Sequence, residues 1–156
     1  MAIYSSRGKY YEEINVGDVF KHSITRTVTE MDNLLFSALT HNPDALHLDA
    51  EYGKETTYGS IIVNSCYTLS FVVGVHVPDV LLRTSLGNLG YEKIKFPAPV
   101  RIGDTLRAES EVLKKRESKS RPEAGIVWFE HRGYNQREEL VFIATRVGMM
   151  KKLPDQ

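Results

Sequence analysis

The segment SCYTLSFVVGVHV, residues 65–77, is the most apolar part of the chain, and its pattern predicts a helix. Cys66, Leu69 and Val73 recur at the three- and four-residue spacings of one helix face. The other positions are also mostly apolar, as expected of a helix that protein surrounds on all sides. Pro78 follows and is expected to end the helix, because proline has no backbone N–H to donate.

Four long strands are predicted after this helix, at residues 85–96, 104–115, 125–134 and 139–151. At about ten residues each they exceed the usual five or six. The connections between them are of hairpin length, which indicates an antiparallel sheet. One buried helix against one long, curved sheet is an α+β architecture. We expect a single domain over residues 1–156, with a core from about residue 14 to 152.

The part of the chain before the central helix carries a strand and two capped helical segments. Residues 19–28 are rich in β-branched side chains and predict a strand. Thr29 is placed to cap a helix that ends near Leu39, and Asp49 to cap a short helical turn. The order is therefore strand, helices, then four strands.

Composition and charge narrow the classes of partner. Twenty basic residues balance twenty acidic ones, so the net charge favours neither nucleic acid nor an anionic membrane. The N-terminus has no uninterrupted apolar stretch, and the longest apolar run, residues 69–77, is too short to span a bilayer. Cys66 is the single cysteine and cannot form an internal disulfide. These features predict a cytoplasmic protein.

The polar stretch THNPDALHLD, residues 40–49, is the first candidate for function. Its histidines are six residues apart, without the spacing of a known metal motif, so we expect no metal. Asn42, Asp44 and Asp49 are good turn and capping residues, which favours a structural role. Histidine is a common general acid or base, however, so His47 could act as one, with neighbouring oxygens to orient its ring or a water. The residues alone leave both interpretations open.

The chain resembles the MaoC-like dehydratase family, which includes the (R)-specific enoyl-CoA hydratases. Residues 39–49 match its S/T-G-D-x-N-P-x-H signature, with His47 on the histidine, and Ile62-Val63-Asn64-Ser65 matches its I-x-H-G turn. Residues 96–104, FPAPVRIGD, match its F-x-x-P-V-x-x-G-D segment. The resemblance covers about residues 14–152. It implies a hot-dog fold, in which a long antiparallel sheet wraps around a buried central helix.

The resemblance also implies roles for particular residues in hydration of a 2-enoyl-CoA. His47 would be the general acid/base, and Asn42 stands where the family has its catalytic aspartate. An amide cannot exchange a proton as a carboxyl can, so Asn42 would hold the water, with Asp44 as a carboxylate helper. Ser65 and Asn64 replace the glycine and histidine of the turn, and the Ser65 N–H would stabilise the thioester oxygen.

Within the family, the chain resembles more closely a subgroup associated with hydration of short, branched dicarboxylic CoA thioesters of the mesaconyl or itaconyl type. This chain shares its N-L-G-W/Y strand at residues 88–91 and its R-E-S-K-S-R-P-x-A-G hairpin at residues 116–125. The cations of that hairpin, Arg116, Lys119 and Arg121, are either a solvated tip or a contact for CoA phosphates or a substrate carboxylate.

The implied protein is a lyase that needs no cofactor and has a CoA thioester as its small-molecule partner. Family members are homodimers or larger homo-oligomers. Two alternatives stay open, a non-catalytic acyl-CoA-binding module and a hot-dog thioesterase, because fold does not fix function.

Overall fold

The computed structural model describes residues 6–154, and the predicted domain's first five and last two residues lie outside that part. The helices are α1 (Glu30–Leu39), α2 (Ala45–Leu48), α3 (Ala50–Glu55) and α4 (Ser65–His76). The strands are β1 (Val19–Lys21), β2 (Arg26–Thr27), β3 (Ser85–Lys95), β4 (Thr105–Glu117), β5 (Ala124–Tyr134) and β6 (Leu140–Lys151). A 3-10 turn, Tyr11–Glu13, precedes β1, and a π-helical turn, Val77–Leu81, follows α4.

The strands form one antiparallel sheet in the order β1-β4-β5-β6-β3, and β2 also pairs with β4. The three successive strands β4, β5 and β6 form the predicted hairpins. The prediction of a hairpin between β3 and β4 is wrong, because β3 pairs with β6 at the opposite edge. The connection over residues 96–104 is extended and carries two prolines, which suits it to crossing the end of the sheet rather than turning tightly.

Helix α4 packs on the sheet through one face. Val72 on that face meets β5 at Gly133, where an added Cβ would lie 2.6 Å from the Val72 Cγ2 atom, so glycine permits the close approach. Val72 and Val75 share an apolar cluster with Ala108, Phe142 and Ala144 of the sheet. This helix-on-sheet arrangement confirms the predicted α+β class and the hot-dog architecture.

The prediction that protein surrounds α4 on every side is wrong for a single chain. Cys66, Ser70 and Gly74 are exposed, and they recur every four residues along one side of the helix. The sheet curves around the opposite side, where Thr68, Val72 and His76 are buried. The exposed side chains are all small, so this side of the helix exposes little apolar surface.

Two sequence-based boundaries differ from the structure. The strand predicted over residues 19–28 is interrupted between β1 and β2, where the His22 side chain turns inward to bond Asp79 and Ser110. Pro78 does not stop the helical path, because it occupies the first turn of the π-helical segment, where no donor is needed. The predicted caps are present: Thr29 accepts from the Asp32 N–H, and Asp49 accepts from the first turn of α3.

Candidate active site

A cavity of about 440 Å³ lies beside the N-terminus of α4. That volume falls in the range of small-molecule sites, which is roughly 300–1,000 Å³. The walls come from α2, the segment before α4, the first turns of α4 and the segment after β3; they comprise Leu46, His47, Tyr58, Ile62, Val63, Ser65, Thr68, Phe96, Pro97, Ala98, Pro99, Val100 and Val141. Within the described chain no Asp, Glu, Lys or Arg lines this cavity. Its polar side chains are therefore neutral hydroxyls and one imidazole.

His47, on α2, is that imidazole, and its proton arrangement is fixed by the backbone. Its Nδ1 lies 2.9 Å from the carbonyl oxygen of Ile62. Because a carbonyl oxygen only accepts, Nδ1 must carry the hydrogen. In the neutral ring the lone pair is then on Nε2, since the one side-chain hydrogen bond of His47 within the described residues is at Nδ1. The half-buried ring is thus prepared to act as a base at Nε2.

A set of backbone contacts holds the His47 turn against the entrance to α4. Asn33 of α1 donates from Nδ2 to the His47 carbonyl at 2.7 Å and accepts at Oδ1 from the Asn64 N–H at 2.9 Å. The Ile62 N–H donates to the Leu46 carbonyl at 3.3 Å. Asn33 is 2% exposed, so its amide is fully committed to this bridge. The bridge fixes the distance between the imidazole and the first turn of α4.

The N-terminus of α4 presents one backbone donor to the cavity. Asn64 caps the helix by accepting from the Cys66 N–H at 3.0 Å, and its Nδ2 donates to Ser37 Oγ at 3.3 Å. The side chain of Asn64 is therefore occupied by structure. Ser65 is the first helical residue and lines the cavity, and its N–H has no acceptor among the residues described. A free N–H at a helix N-terminus favours a negatively charged oxygen.

The structure does not bring Asn42 or Asp44 to the cavity wall. The Asp44 carboxylate caps α2 by accepting from the Leu46 N–H at 3.0 Å. Asn42 Oδ1 accepts from the Asp44 N–H at 3.2 Å. Asn42 instead lines a neighbouring groove of about 310 Å³ together with Leu34, Ser37, Ala38, His41, Pro43 and Leu48.

Arg116, Lys119 and Arg121 also lie away from the cavity of their own chain. Arg116 is near the end of β4 and stacks over Trp128, with 5.8 Å between the guanidinium carbon and the ring centroid. Lys119 and Arg121 are exposed in the hairpin that follows. β4 has 13 residues, and at about 3.3 Å per residue its ends are about 40 Å apart. The cavity adjoins the other end, where Val141, the second residue of β6, lies on its wall.

Three residues of the site were not predicted from the sequence. Tyr58 and Thr68 line the cavity, and Asn33 positions His47. Tyr58 lies in a loop that only turn chemistry had marked, and Thr68 and Asn33 lie on helices whose apolar pattern was the stronger signal. One feature of the sequence could have indicated two of them: Asn33 and Thr68 are polar residues within otherwise apolar helical patterns.

A second polar cluster lies in the core and has the connectivity of a hydrolase triad. His22 Nδ1 lies 2.7 Å from an Asp79 carboxylate oxygen, and His22 Nε2 lies 2.9 Å from Ser110 Oγ. Ser110 Oγ is also 2.7 Å from His131 Nδ1. Ser110 is 0% exposed and does not line the cavity, so no substrate carbonyl can reach its oxygen. The cluster is a buried hydrogen-bonded network rather than a nucleophile site.

His76, His131 and Arg146 lie beside this network. Each has at least one buried nitrogen without a hydrogen-bond partner in the described chain. Burial lowers the pKa of His76 well below its usual value, and the nearby charges of His131, Arg146 and His22 lower it further. Burial and then Arg146 likewise lower the pKa of His131. Both nitrogens of His76 and Nε2 of His131 lack a partner in the described chain. Burial therefore favours the neutral form of both rings.

Two further properties were searched within residues 6–154. No three side chains of His, Cys, Asp or Glu are grouped closely enough there to hold a metal ion. No helix in that part is both long enough and apolar enough to cross a membrane.

Known proteins resemble this chain in both sequence and structure. Mesaconyl-CoA hydratase of Cereibacter sphaeroides is 33% identical over 148 residues, which is 95% of this chain and 43% of that protein. Beta-methylmalyl-CoA dehydratase of Chloroflexus aurantiacus is 30% identical over 152 residues, which is 97% of this chain and 43% of that protein. This chain therefore spans about two fifths of the length of these relatives.

A solved structure supports the fold independently. A conserved hypothetical protein from Mycobacterium tuberculosis, described as having a double hot-dog fold, superposes with a TM-score of 0.86 at 20% identity. The match covers 96% of this chain and 46% of that one. The model of the MaoC-like domain family matches residues 12–132, which is most of the chain. The matched range includes every cavity residue except Val141. The chain belongs to the MaoC-like dehydratase domain family.

Proposed function

We propose that this chain adds water reversibly across the double bond of a 2-enoyl-CoA thioester. The observation that carries the proposal is His47, whose Nδ1–H is fixed by the Ile62 carbonyl so that Nε2 is the basic nitrogen on a cavity wall. The same cavity has the N–H of Ser65 at the start of α4. A base and an oxyanion donor on one cavity are the two groups that enoyl thioester hydration needs.

The reaction follows from these two positions. The thioester carbonyl oxygen accepts from the Ser65 N–H, which withdraws electrons from the conjugated double bond. His47 Nε2 takes one proton from a water molecule as its oxygen bonds to Cβ. The π electrons move to the carbonyl oxygen, and this enolate is stabilised by the Ser65 N–H and the positive end of α4. Water's second hydrogen remains on the new hydroxyl.

The proton that His47 removes then completes the reaction. The imidazolium delivers it to Cα, the enolate collapses to the thioester, and one water has been added in total. Because no carboxylate of residues 6–154 lines the cavity, His47 serves as both base and acid in this scheme. The resemblance assigns Asn42 to the water and Asp44 to a supporting role, and both assignments stay predictions.

The relatives favour a short, branched acyl group. The names mesaconyl-CoA hydratase and beta-methylmalyl-CoA dehydratase both denote hydration chemistry on such CoA thioesters. The cavity volume of about 440 Å³ suits an acyl group of a few carbon atoms. We therefore place mesaconyl-, itaconyl- and crotonyl-CoA at the head of the substrate panel.

A second candidate function is binding of an acyl-CoA without chemistry. The absence of Asp and Glu from the cavity wall in the described chain favours it, because enoyl hydration by the family pattern uses a carboxyl group. A thioesterase would likewise need a group that activates water against the carbonyl carbon. These alternatives differ from hydration in the product they leave.

One experiment separates the three functions. Purified protein is incubated with each member of the enoyl-CoA panel, and the products are analysed by mass spectrometry and by a free-thiol reagent. Hydration adds the mass of one water and releases no thiol, whereas a thioesterase releases free CoA. Thermal stabilisation by the CoA thioesters with neither product would support the binding module and contradict the proposal.

The assembly and the cellular location are part of the same proposal. We expect a homodimer or larger homo-oligomer, supported by the exposed β3 edge, where Leu86, Leu89 and Ile94 are open to solvent. Sedimentation equilibrium of the purified protein measures this directly. A cytoplasmic location stays a prediction from the sequence.

A further inference from the structure

Two loop segments, residues 58–63 and 96–102, form both a wall of the cavity and the wall of a second pocket. The Val63 N–H donates to the Val100 carbonyl at 2.8 Å, so the segments run side by side. Tyr58, Pro99 and Val100 line the cavity. The next residues along the same segments line a pocket of about 340 Å³, formed by Ala50, Lys54, Gly59, Ser60, Ile61, Arg101 and Ile102.

Arg101 stands where the cavity wall meets the neighbouring pockets. It lines the second pocket, and with Ala98 and Pro99 it lines a third one of about 370 Å³. Ala98 and Pro99 are also walls of the cavity. A ligand that emerges from the cavity past Pro99 therefore meets the Arg101 side chain.

The guanidinium of Arg101 has no carboxylate partner in the part of the chain that is described. Its contact is a hydrogen bond from Nη1 to Ser60 Oγ. The other cations of these two pockets are paired: Lys54 with Glu51 at 2.6 Å, and Arg137 with Asp104 at 2.8 Å and Glu139 at 2.9 Å. Arg101 keeps most of its five N–H donors and its full charge for another anion.

The substrate proposed above supplies such an anion. CoA carries its acyl group on a long neutral arm that ends in three phosphate groups, and no Lys or Arg among the described residues lines the cavity to receive them. Resting on the proposed function, we infer that Arg101 binds a phosphate of the CoA moiety just outside the cavity. Arginine suits this role because its planar fork pairs with two phosphate oxygens at once.

A purely structural role for Arg101 predicts different behaviour. Through Ser60, Arg101 ties residues 58–63 to residues 96–102, and loosening that tie would alter the cavity for every substrate. Contact with phosphate, in contrast, affects only substrates that carry phosphate. A thioester of N-acetylcysteamine has the same acyl group and the same reactive atoms but no phosphate, so it separates the two roles.

The test uses two variants and the two thioesters. Arg101→Gln retains an N–H donor for Ser60 Oγ and loses the charge, whereas Arg101→Lys retains the charge. For Arg101→Gln we expect KM for the CoA thioester to rise about tenfold or more, as for loss of a charge-assisted hydrogen bond. We expect kcat/KM for the N-acetylcysteamine thioester to stay at the wild-type value. For Arg101→Lys, KM for the CoA thioester should lie between the values of wild type and Arg101→Gln.

A matched control and a binding measurement complete the test. Lys114→Ala removes one positive charge on the distal half of β4, where Lys114 lies over Trp128, and should leave both substrates unaffected. Equal losses on both thioesters in Arg101→Gln would overturn the phosphate contact in favour of a structural role. Calorimetric titration with free CoA tests the same contact without turnover. Weaker CoA binding by Arg101→Gln upholds it even if no enoyl-CoA is hydrated, and unchanged binding, or no binding by the wild type, overturns it.

Discussion

His47 and the pair His76 and His131 occupy opposite environments within the same fold. His47 is half-buried on a cavity wall, with one nitrogen satisfied by a backbone carbonyl and the other available. His76 and His131 are each 0% exposed, and nitrogens of both have no partner in the described chain. The pKa values of the buried pair are well below normal, yet the pair has no access to substrate.

The contrast teaches that a perturbed pKa alone does not identify a catalytic histidine. Active sites often perturb pKa values, but so does burial in a core. A base needs a substrate within reach and a defined tautomer, and His47 has both through the cavity and the Ile62 carbonyl. The buried pair instead makes the core sensitive to acid. The predictions below test each side of this comparison.

The largest expected effect is on catalysis, in His47→Ala. Loss of a general acid/base typically costs about 10²–10⁴-fold in rate, and we expect kcat for the hydrated enoyl-CoA to fall by about 10³-fold. The folded structure should persist, because the imidazole makes a single hydrogen bond and is not a core residue. Steady-state kinetics and thermal unfolding measure the two properties.

His41→Asn is the matched control for His47→Ala. His41 is exposed, six residues earlier, and lines the neighbouring groove rather than the cavity. Asparagine tolerates the positive φ of 53° at that position, so the backbone is preserved. Full activity in His47→Ala, or an equal loss in His41→Asn, would remove His47 from the reaction.

A smaller effect is expected on stability as the pH falls. The folded-state pKa values of His76 and His131 are lowered, whereas the unfolded values are about 6.5. Below that pH the unfolded chain binds protons that the folded protein does not, so stability is present above about pH 6.5 and is lost as the pH falls. The loss approaches about 1.4 kcal/mol per pH unit for each ring. Carboxylates such as Asp104, with a lowered pKa, contribute only near pH 4 and below.

Urea unfolding between about pH 7.5 and pH 5.5 measures this dependence. The groups around His76 are basic or neutral, namely His22, His131, Arg146 and Phe129, with Asp79 reached only through His22. His76→Phe keeps an aromatic ring and loses no hydrogen bond of the described structure. This substitution should reduce the slope of unfolding free energy against pH by the contribution of one histidine. An unchanged slope would contradict the lowered pKa of His76.

Much of the fold was predictable because local pattern and tertiary structure agree. The apolar period of residues 65–77 and the long strands appear in the structure as α4, β3, β4, β5 and β6 within a few residues. The position of β3 was not predictable from connection lengths, because a nine-residue link can turn back or cross the sheet. The exposed stripe of α4 was also missed, since apolar and small residues do not reveal which side the sheet covers.

The site was predictable in its central residue and less so around it. His47 and Ser65 were identified from motif position, and both line the cavity. Asn33 and Arg101 contact neighbours distant in sequence, Asn64 and Ser60 respectively, and no spacing rule connects them. The role of the hairpin cations stays a prediction with both alternatives open: the length of β4 separates them from the cavity of their own chain.

The smallest effect is expected at Asn42, where sequence and structure differ most. Position in the motif assigns Asn42 to the water, but its side chain lines the groove beside Leu48 and accepts from the Asp44 N–H. We expect Asn42→Ala to lower kcat by less than about threefold, well below the general acid/base range. Removing the exposed bond to Asp44 should cost about 1 kcal/mol or less in unfolding free energy.

Asn42→Asp makes this last test two-sided. A carboxylate can still accept from the Asp44 N–H, so the turn that carries His47 is preserved, and a proton-exchanging group is placed at the family's acid position. If only residues of the cavity wall take part in the reaction, kcat of Asn42→Asp should also stay within about threefold of wild type, because the side chain is out of reach of the substrate. A loss in Asn42→Ala comparable to that of His47→Ala, or a large gain in Asn42→Asp, would mean that the groove closes onto the cavity during turnover, and the mechanism would then need Asn42 beside His47.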